Sequence, residues 1–283
     1  MADSSVITTK AVAQPALGQP LHGRFKYFDP LYILWFALIG VLLFLVVSPM
    51  LRLVIVSLQE QDVGAWTIVN YLTAYGRSRY LQALLNSLYL GTTTALLSAI
   101  FGIPLAWALS RTDMPGKGLV WIVVLGAFIV PPYLGAIGWI LLAGPNSGWI
   151  NQFWSLLFGS NATLMNIYSF GGLALIISLN SFPFIFLFTK AALDLVSSEM
   201  EDAANILGAG TWRTTVKVTL PLVWPAIIAG IIIVFLETIA LFGAPALIAI
   251  PARFQVVTTQ LWQFFEFPIR VEVAAAYAMP LLL

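Results

Sequence analysis

Any chemistry in this chain has to begin with its few acidic side chains. Glu199, Glu201 and Asp202 crowd into four residues, and Glu237 stands alone after nineteen uncharged positions, Val218 to Leu236. Cysteine is absent and the single histidine is His22, in a polar N-terminal stretch. That leaves no disulfide, no thiol nucleophile and no cysteine or histidine set for zinc. The hydrophobic stretches contain no paired aspartates, so an intramembrane enzyme would lack its ionisable groups. A phosphate-binding loop needs G-x-x-x-x-G-K-[ST]. Here Gly116-Lys117 is followed by Gly118, and Arg111 stands where the first glycine belongs. The chain is therefore expected to carry no catalytic residue, no metal and no cofactor of its own. Its carboxylates must serve shape, docking or passage.

The elements that position them belong in a bilayer. The chain has 283 residues, of which 60% are hydrophobic and 9% charged, with a mean hydropathy of +0.94. Soluble domains carry about a quarter charged residues. A crossing helix takes roughly 20 mostly apolar residues. The charge-free windows are Pro30–Leu51, Tyr80–Ser110 and Gly118–Thr189, the last long enough for two crossings. Val218–Leu236 and the apolar residues after Glu237 supply a fifth span, and Val271–Leu283 begins a sixth that stops short. The expected fold is all-α, a polytopic transmembrane helical bundle of about six helices with the sixth truncated, which reads as part of a longer protein. Residues 1–28 are expected to be a disordered tail and 29–283 the membrane domain, with a core from about 81 to 283. With 13 basic and 12 acidic residues there is no basic footprint for nucleic acid.

Lysine and arginine favour cytoplasmic loops. A cytoplasmic N-terminus puts Lys10, Arg24, Lys26, Arg111, Lys117, Lys190, Arg213 and Lys217 inside, and Arg52, Arg77, Arg79, Arg253 and Arg270 outside. The loop around Gly144–Met165 is free of charge, and Trp66, Trp149, Trp154 and Trp262 fall near outer boundaries, where indoles gather. Pro131-Pro132, Pro183, Pro221, Pro225 and Gly243-Ala244-Pro245 interrupt the apolar runs. Broken helices are tolerated in membranes where neighbours or water satisfy the freed backbone, and transport folds use them.

Between Lys190 and Lys217, on the cytoplasmic side in this orientation, lies the acidic cluster. Ser198 followed by Glu201 fits a capping box at a helix start, with Glu199, Glu201 and Asp202 in the first turn, where the helix dipole favours negative charge. Met200, Ala203, Ala204 and Leu207 fall at i, i+3, i+4 and i+7 and form a low apolar stripe. Gly208 and Gly210 allow left-handed conformations that end a helix, and Thr211 is placed to cap a second one. Two short helices joined by a glycine bend are predicted. A free helix so short is marginal in water, so its stripe packs either on the chain's own membrane helices or in a groove of another protein.

Asp202-Ala203-Ala204, three residues, Gly208, nine residues, then Val218-x-Leu220-Pro221 resembles the loop signature of inner-membrane permeases of binding-protein-dependent ABC importers, EAA, three residues, G, nine residues, I-x-LP. Two positions depart conservatively, Asp202 for Glu and Val218 for Ile. Asn86-Ser87-Leu88 opening a helix, Pro104-Leu105-Ala106, and Ala108 to Thr112 with Pro115-Gly116 are similar to the same family. Pro131 to Trp139 and Ala143 to Gly148 resemble the iron(III) subgroup, many of whose members fuse two such halves.

The resemblance implies a permease subunit of the bacterial inner membrane. An external substrate-binding protein would deliver cargo, a second permease half would complete the path, and a cytoplasmic ATPase dimer, which holds ATP and Mg, would close on it. The contact implied runs from Ser198 to Pro221. Ala203, Ala204 and Leu207 would seat in the ATPase groove, Glu201 and Asp202 would meet its polar rim, Gly208 would allow the bend, and Leu220-Pro221 would end the motif. Iron(III) is the implied cargo, with polyamine, thiamine, sulfate and aminophosphonate relatives sharing the loop.

A carboxylate within a membrane helix normally faces a bundle interior or a water-filled cavity. Glu237 is thus either a path residue near Gly243 and Pro245 or a helix-pairing group. Many relatives have an aspartate where Leu241 stands. Pro131 and Asn180 join the candidate path, although Asn180, flanked by Ser178 and Ser181, also suits interhelical hydrogen bonding. Glu237 and the broken helices would equally fit a secondary transporter driven by an ion gradient.

Overall fold

The structure is a computed structural model that describes residues 30–61, 63–159 and 163–282. The tail expected over residues 1–28 lies outside them. The chain divides into two units, residues 1–51 and 52–283. In the first, the described residues form most of α1 (Pro30–Ser57), whose side chains are exposed along 31–50.

The second unit is built from helices without strands among the described residues. In chain order these are α2 (Val69–Gly76), α3 (Ser78–Arg111), α4 (Lys117–Ile129), α5 (Pro132–Ala143), α6 (Trp149–Phe158), α7 (Phe170–Leu195), α8 (Ser198–Ile206), α9 (Thr211–Thr214), α10 (Leu220–Ala240), α11 (Gly243–Ile248), α12 (Val257–Gln263) and α13 (Val271–Ala278). Among the described residues four helical segments are long and apolar enough to cross a membrane: α1, α3, α7 and the continuous run from α9 through α10. The pair α4 and α5, bent by 105°, makes a fifth if counted as one broken span. The two crossings expected over Gly118–Thr189 are thus α7 and this broken pair, with the predicted proline interruption at the bend. Its cause is Pro131-Pro132: neither residue has an amide to donate, and a residue before proline is driven out of the helical region. Pro131 accordingly sits at φ −57°, ψ 138°.

α7 is the central helix, with 61% of its most apolar window buried, against 33% for α3 and 28% for the α9–α10 run. Lipid tails are as apolar as leucine, so membrane helices associate by close packing of small residues rather than by hydrophobic drive. The three-helix core follows that rule. A Cβ on Gly102 of α3 would lie 3.0 Å from the Phe182 carbonyl oxygen and the Phe186 nitrogen of α7. One on Gly230 of α10 would lie 3.1 Å from the Ile185 Cα. Ser98 Oγ donates across the same seam to the Ser178 carbonyl at 3.3 Å.

Two local expectations change. Asn86-Ser87 does not open a helix, since α3 starts at Ser78. Instead the two side chains staple α3 to the segment before α12: Asn86 Nδ2 donates to the Gln255 carbonyl at 2.8 Å, and Ser87 Oγ accepts from the Val257 amide at 2.7 Å. The uncharged stretch 144–165 is not merely a loop, because it contains α6. Asn151 fixes that helix, donating to the Gly144 and Met165 carbonyls at 2.8 Å each and accepting from the Met165 amide at 2.9 Å. α13 and a 3-10 turn, Val271 to Leu281, remain shorter than a crossing, as expected.

Candidate functional site

α8 begins at Ser198, where the acidic cluster predicted a helix start. The Ser197 hydroxyl accepts the Glu199 amide at 3.2 Å. The serine side chain of the expected capping box lies outside the described ones, and its acid is engaged elsewhere. Glu201 Oε1 accepts from Arg111 Nε at 2.9 Å and from Thr219 Oγ1 at 2.8 Å. The carboxylate thus turns into the protein rather than back onto the helix start. A guanidinium delivered from the last residue of α3 outcompetes the local amide because its charge adds to the hydrogen bond.

The glycine bend forms as predicted at one of its two positions. Gly208 has φ +84°, and the Ala209 amide reaches back to the Ala204 carbonyl at 3.0 Å, the 6→1 bond of a Schellman ending. Gly210, at φ −71°, takes no left-handed conformation and occupies the cap position that the spacing gave to Thr211, which is instead the first residue of α9. Nor is the second helix a short separate one. It runs on through a π turn, Thr215–Thr219, into α10. The π turn has a chemical reason: Pro221 has no amide for an i−4 carbonyl, and the ladder widens so that the Leu220 amide reaches Thr215.

On the elbow's outer side the predicted stripe is only part of the apolar surface. Asp202 and Ala203 are exposed and Ala204 is half-buried, while Leu207 is 87% exposed, joined by Ile206 at 86% and Trp212 at 80%. Leu220 is half-buried and Pro221 exposed at the start of α10. Ile206 and Trp212 escaped the heptad-like spacing. The one sign of Trp212 in the sequence is an indole set among threonines and basic residues.

The predicted path residues gather elsewhere, around the break between α4 and α5. Asn180 Nδ2 donates to the Val130 carbonyl at 2.8 Å and the Ala127 carbonyl at 3.2 Å, satisfying the frayed end of α4. Asn180 is thus an interhelical tie. Pro131 caps α5 at the same point. Gly243 opens α11 against Tyr133, whose Cβ would be 3.2 Å from a side chain placed there, and Pro245 is buried behind it. Glu237, half-buried on α10, faces Ser181 of α7, whose hydroxyl is buried beside it. Three of the five candidates, Asn180, Pro131 and Gly243, therefore border the break, and Glu237 faces the residue beside Asn180.

Residues 26–283 match the family described as the binding-protein-dependent transport system inner membrane component. The chain is 32% identical over 190 residues, covering 66% of this chain and 80% of the relative, to the molybdenum transport system permease protein ModB of Escherichia coli (strain K12). It is 26% identical over 230 residues, 81% of this chain and 76% of the relative, to the probable sulfate transport system permease protein cysT of Chlorokybus atmophyticus. The putative ferric transport system permease protein FbpB 1 of Haemophilus influenzae is 26% identical over 226 residues, 80% of this chain but only 35% of that longer protein. Among solved structures, a chain of a bacterial alginate ABC transporter in complex with an alginate pentasaccharide-bound periplasmic protein superposes with a TM-score of 0.75 at 18% identity, covering 88% of each chain. With the elbow spacing and the helical bundle both in place, the chain belongs to the family of inner-membrane, multi-pass permease components of binding-protein-dependent transport systems.

Proposed function

We propose that this chain is the permease subunit of an ATP-driven importer, with its N-terminus in the cytoplasm and its elbow on the cytoplasmic face. A second permease half completes the path, an external binding protein delivers the cargo, and an ATPase dimer docks on the elbow. The observation that carries the reading is the exposed apolar residues Ile206, Leu207 and Trp212 on either side of the Gly208 turn, on an elbow braced to α3 through Glu201. Water-facing leucine, isoleucine and indole on an otherwise polar elbow suit a second protein's groove. Ala203 and Ala204 keep the approach close, and Asp202 meets the rim. Pro131, Asn180, Gly243, Pro245 and Glu237 border the path at the broken span.

For cargo, we infer a tetrahedral inorganic oxyanion of the molybdate or sulfate kind. Support comes from the molybdenum and sulfate permeases among the relatives. Iron(III) is the second reading, favoured by the ferric relative and by the 131–148 segment. Reconstitution with the ATPase and binding protein tests both. Uptake of radiolabelled molybdate or sulfate that requires ATP, and that is lost with ATPase capture in Ala204→Arg or Leu207→Arg, is expected. Ferric uptake without oxyanion uptake would overturn the cargo. Uptake that survives ATP depletion and collapses with an ionophore would overturn the importer.

A further inference from the structure

The Arg111 guanidinium holds together the ends of four helices. Its Nε donates to Glu201 Oε1 on α8 at 2.9 Å, and its Nη2 donates to the Leu193 carbonyl at 2.9 Å and the Val196 carbonyl at 3.0 Å at the end of α7. The same Glu201 oxygen accepts from Thr219 Oγ1 in the π turn that leads into α10. Arg111 itself is the last residue of α3. Both side chains are mostly shielded, at 17% and 21% exposure. The carbonyls at a helix C-terminus have no partner within the helix and carry the negative end of its dipole, so a cation with several donors is suited to them. Arginine presents five donors in a fixed fork, which lysine's single ammonium cannot copy across three separated acceptors.

We propose that Arg111 and Glu201 form the keystone that makes the elbow a lever: a push on α8 reaches α3, α7 and α10 through this pair rather than only along the chain. The inference rests on the importer reading above and adds to it the residues that transmit rather than dock. Ile206, Leu207 and Trp212 receive the ATPase. Arg111, Glu201 and Thr219 pass its movement on, and all three are positioning residues. Without the pair, α8 keeps its surface and its packing on α9 and the π turn but loses its tie to α3 and α7, so docking persists while motion is lost.

The chain has no cysteine, so one introduced at Tyr133, exposed beside the break and against Gly243, reports the bundle's response by maleimide labelling. In the complete complex, ATP with vanadate is expected to change that labelling rate in the parent. Arg111→Met should cut the change about fivefold or more, the size of an ordinary coupling energy, while ATPase capture and basal hydrolysis stay within about twofold. Arg111→Lys should fall between. Thr219→Val, which removes one hydrogen bond at nearly constant shape, should move the response in the same direction and carries the test should Arg111→Met fail to reach the membrane. A full ATP-induced change in Arg111→Met, or in Thr219→Val where that variant stands in, overturns the keystone. A parent that shows no ATP-induced change and captures no ATPase overturns instead the reading on which it rests.

Discussion

Gly208 offers a test in which backbone strain separates from steric clash. Its φ is +84°, and a Cβ added there meets nothing within 4 Å, so a substitution is penalised by backbone conformation alone. For an L-residue the left-handed region costs roughly 1–2 kcal/mol. Loss of glycine's freedom in the unstructured chain offsets about 0.4–1 kcal/mol of that. Gly208→Ala should therefore weaken the elbow by about 1 kcal/mol, close to fivefold in its local equilibrium. Gly208→Asn should cost little, because asparagine tolerates this region, and Gly208→Val should cost most, because a β-branched residue is a genuine outlier there. The Ala209 amide, bonded to the Ala204 carbonyl at 3.0 Å, is the direct reporter. Its hydrogen exchange should accelerate in the order Asn, Ala, Val, with ATPase capture weakening in the same order. Were Asn worse than Ala, the cost would track side-chain size against a partner surface, and the assignment of Gly208 as a conformational glycine would be wrong.

Two further outcomes are expected. Gly102→Ala should lower the thermal stability of the purified permease by about 1–3 kcal/mol, as overpacking does, because its Cβ would press on the α7 backbone at 3.0 Å, whereas Gly126→Ala, in helix α4 with open space around it, should not lower stability and should raise it by up to about 1 kcal/mol. Asn180→Ala should impair uptake, since it leaves the Ala127 and Val130 carbonyls without their side-chain donor, at about 1–3 kcal/mol for a stranded group; wild-type uptake in the alanine variant would count against the tie.

The sequence made the elbow legible because its determinants are local: an acidic first turn, alanines at helical spacing and Gly208, each acting within a few positions. The break between α4 and α5 was legible for the same reason, since Pro131-Pro132 interrupts a helix whatever surrounds it. What the spacing hid was long-range. Glu201 was expected at a helix start or a partner's rim, yet its partner Arg111 lies 90 residues away and meets it only because α3 and α7 run side by side. Thr219 was hidden differently, in a π turn that shifts the register of residues 215–219 against an ordinary helix. Asn180 could be assigned a hydrogen-bonding role from its residue type, but its acceptors at the frayed end of α4 depend on where the proline break leaves carbonyls unpaired.

The two regions are joined by one element. α7 holds the break through Asn180 near its middle and the elbow through the Leu193 and Val196 carbonyls at its end. The thirteen steps from Asn180 to Leu193 span about 20 Å of helix at 1.5 Å per residue. α7 is also the most buried of the long apolar helices, packed closely on α3 at Gly102 and on α10 at Gly230. A displacement applied at the Arg111–Glu201 pair therefore reaches the broken span by moving packed helices together. This is why the small residues along α3 and α10 matter as much to transmission as the charged pair at their end: a looser seam would let the elbow move while Asn180 and the frayed end of α4 stayed still.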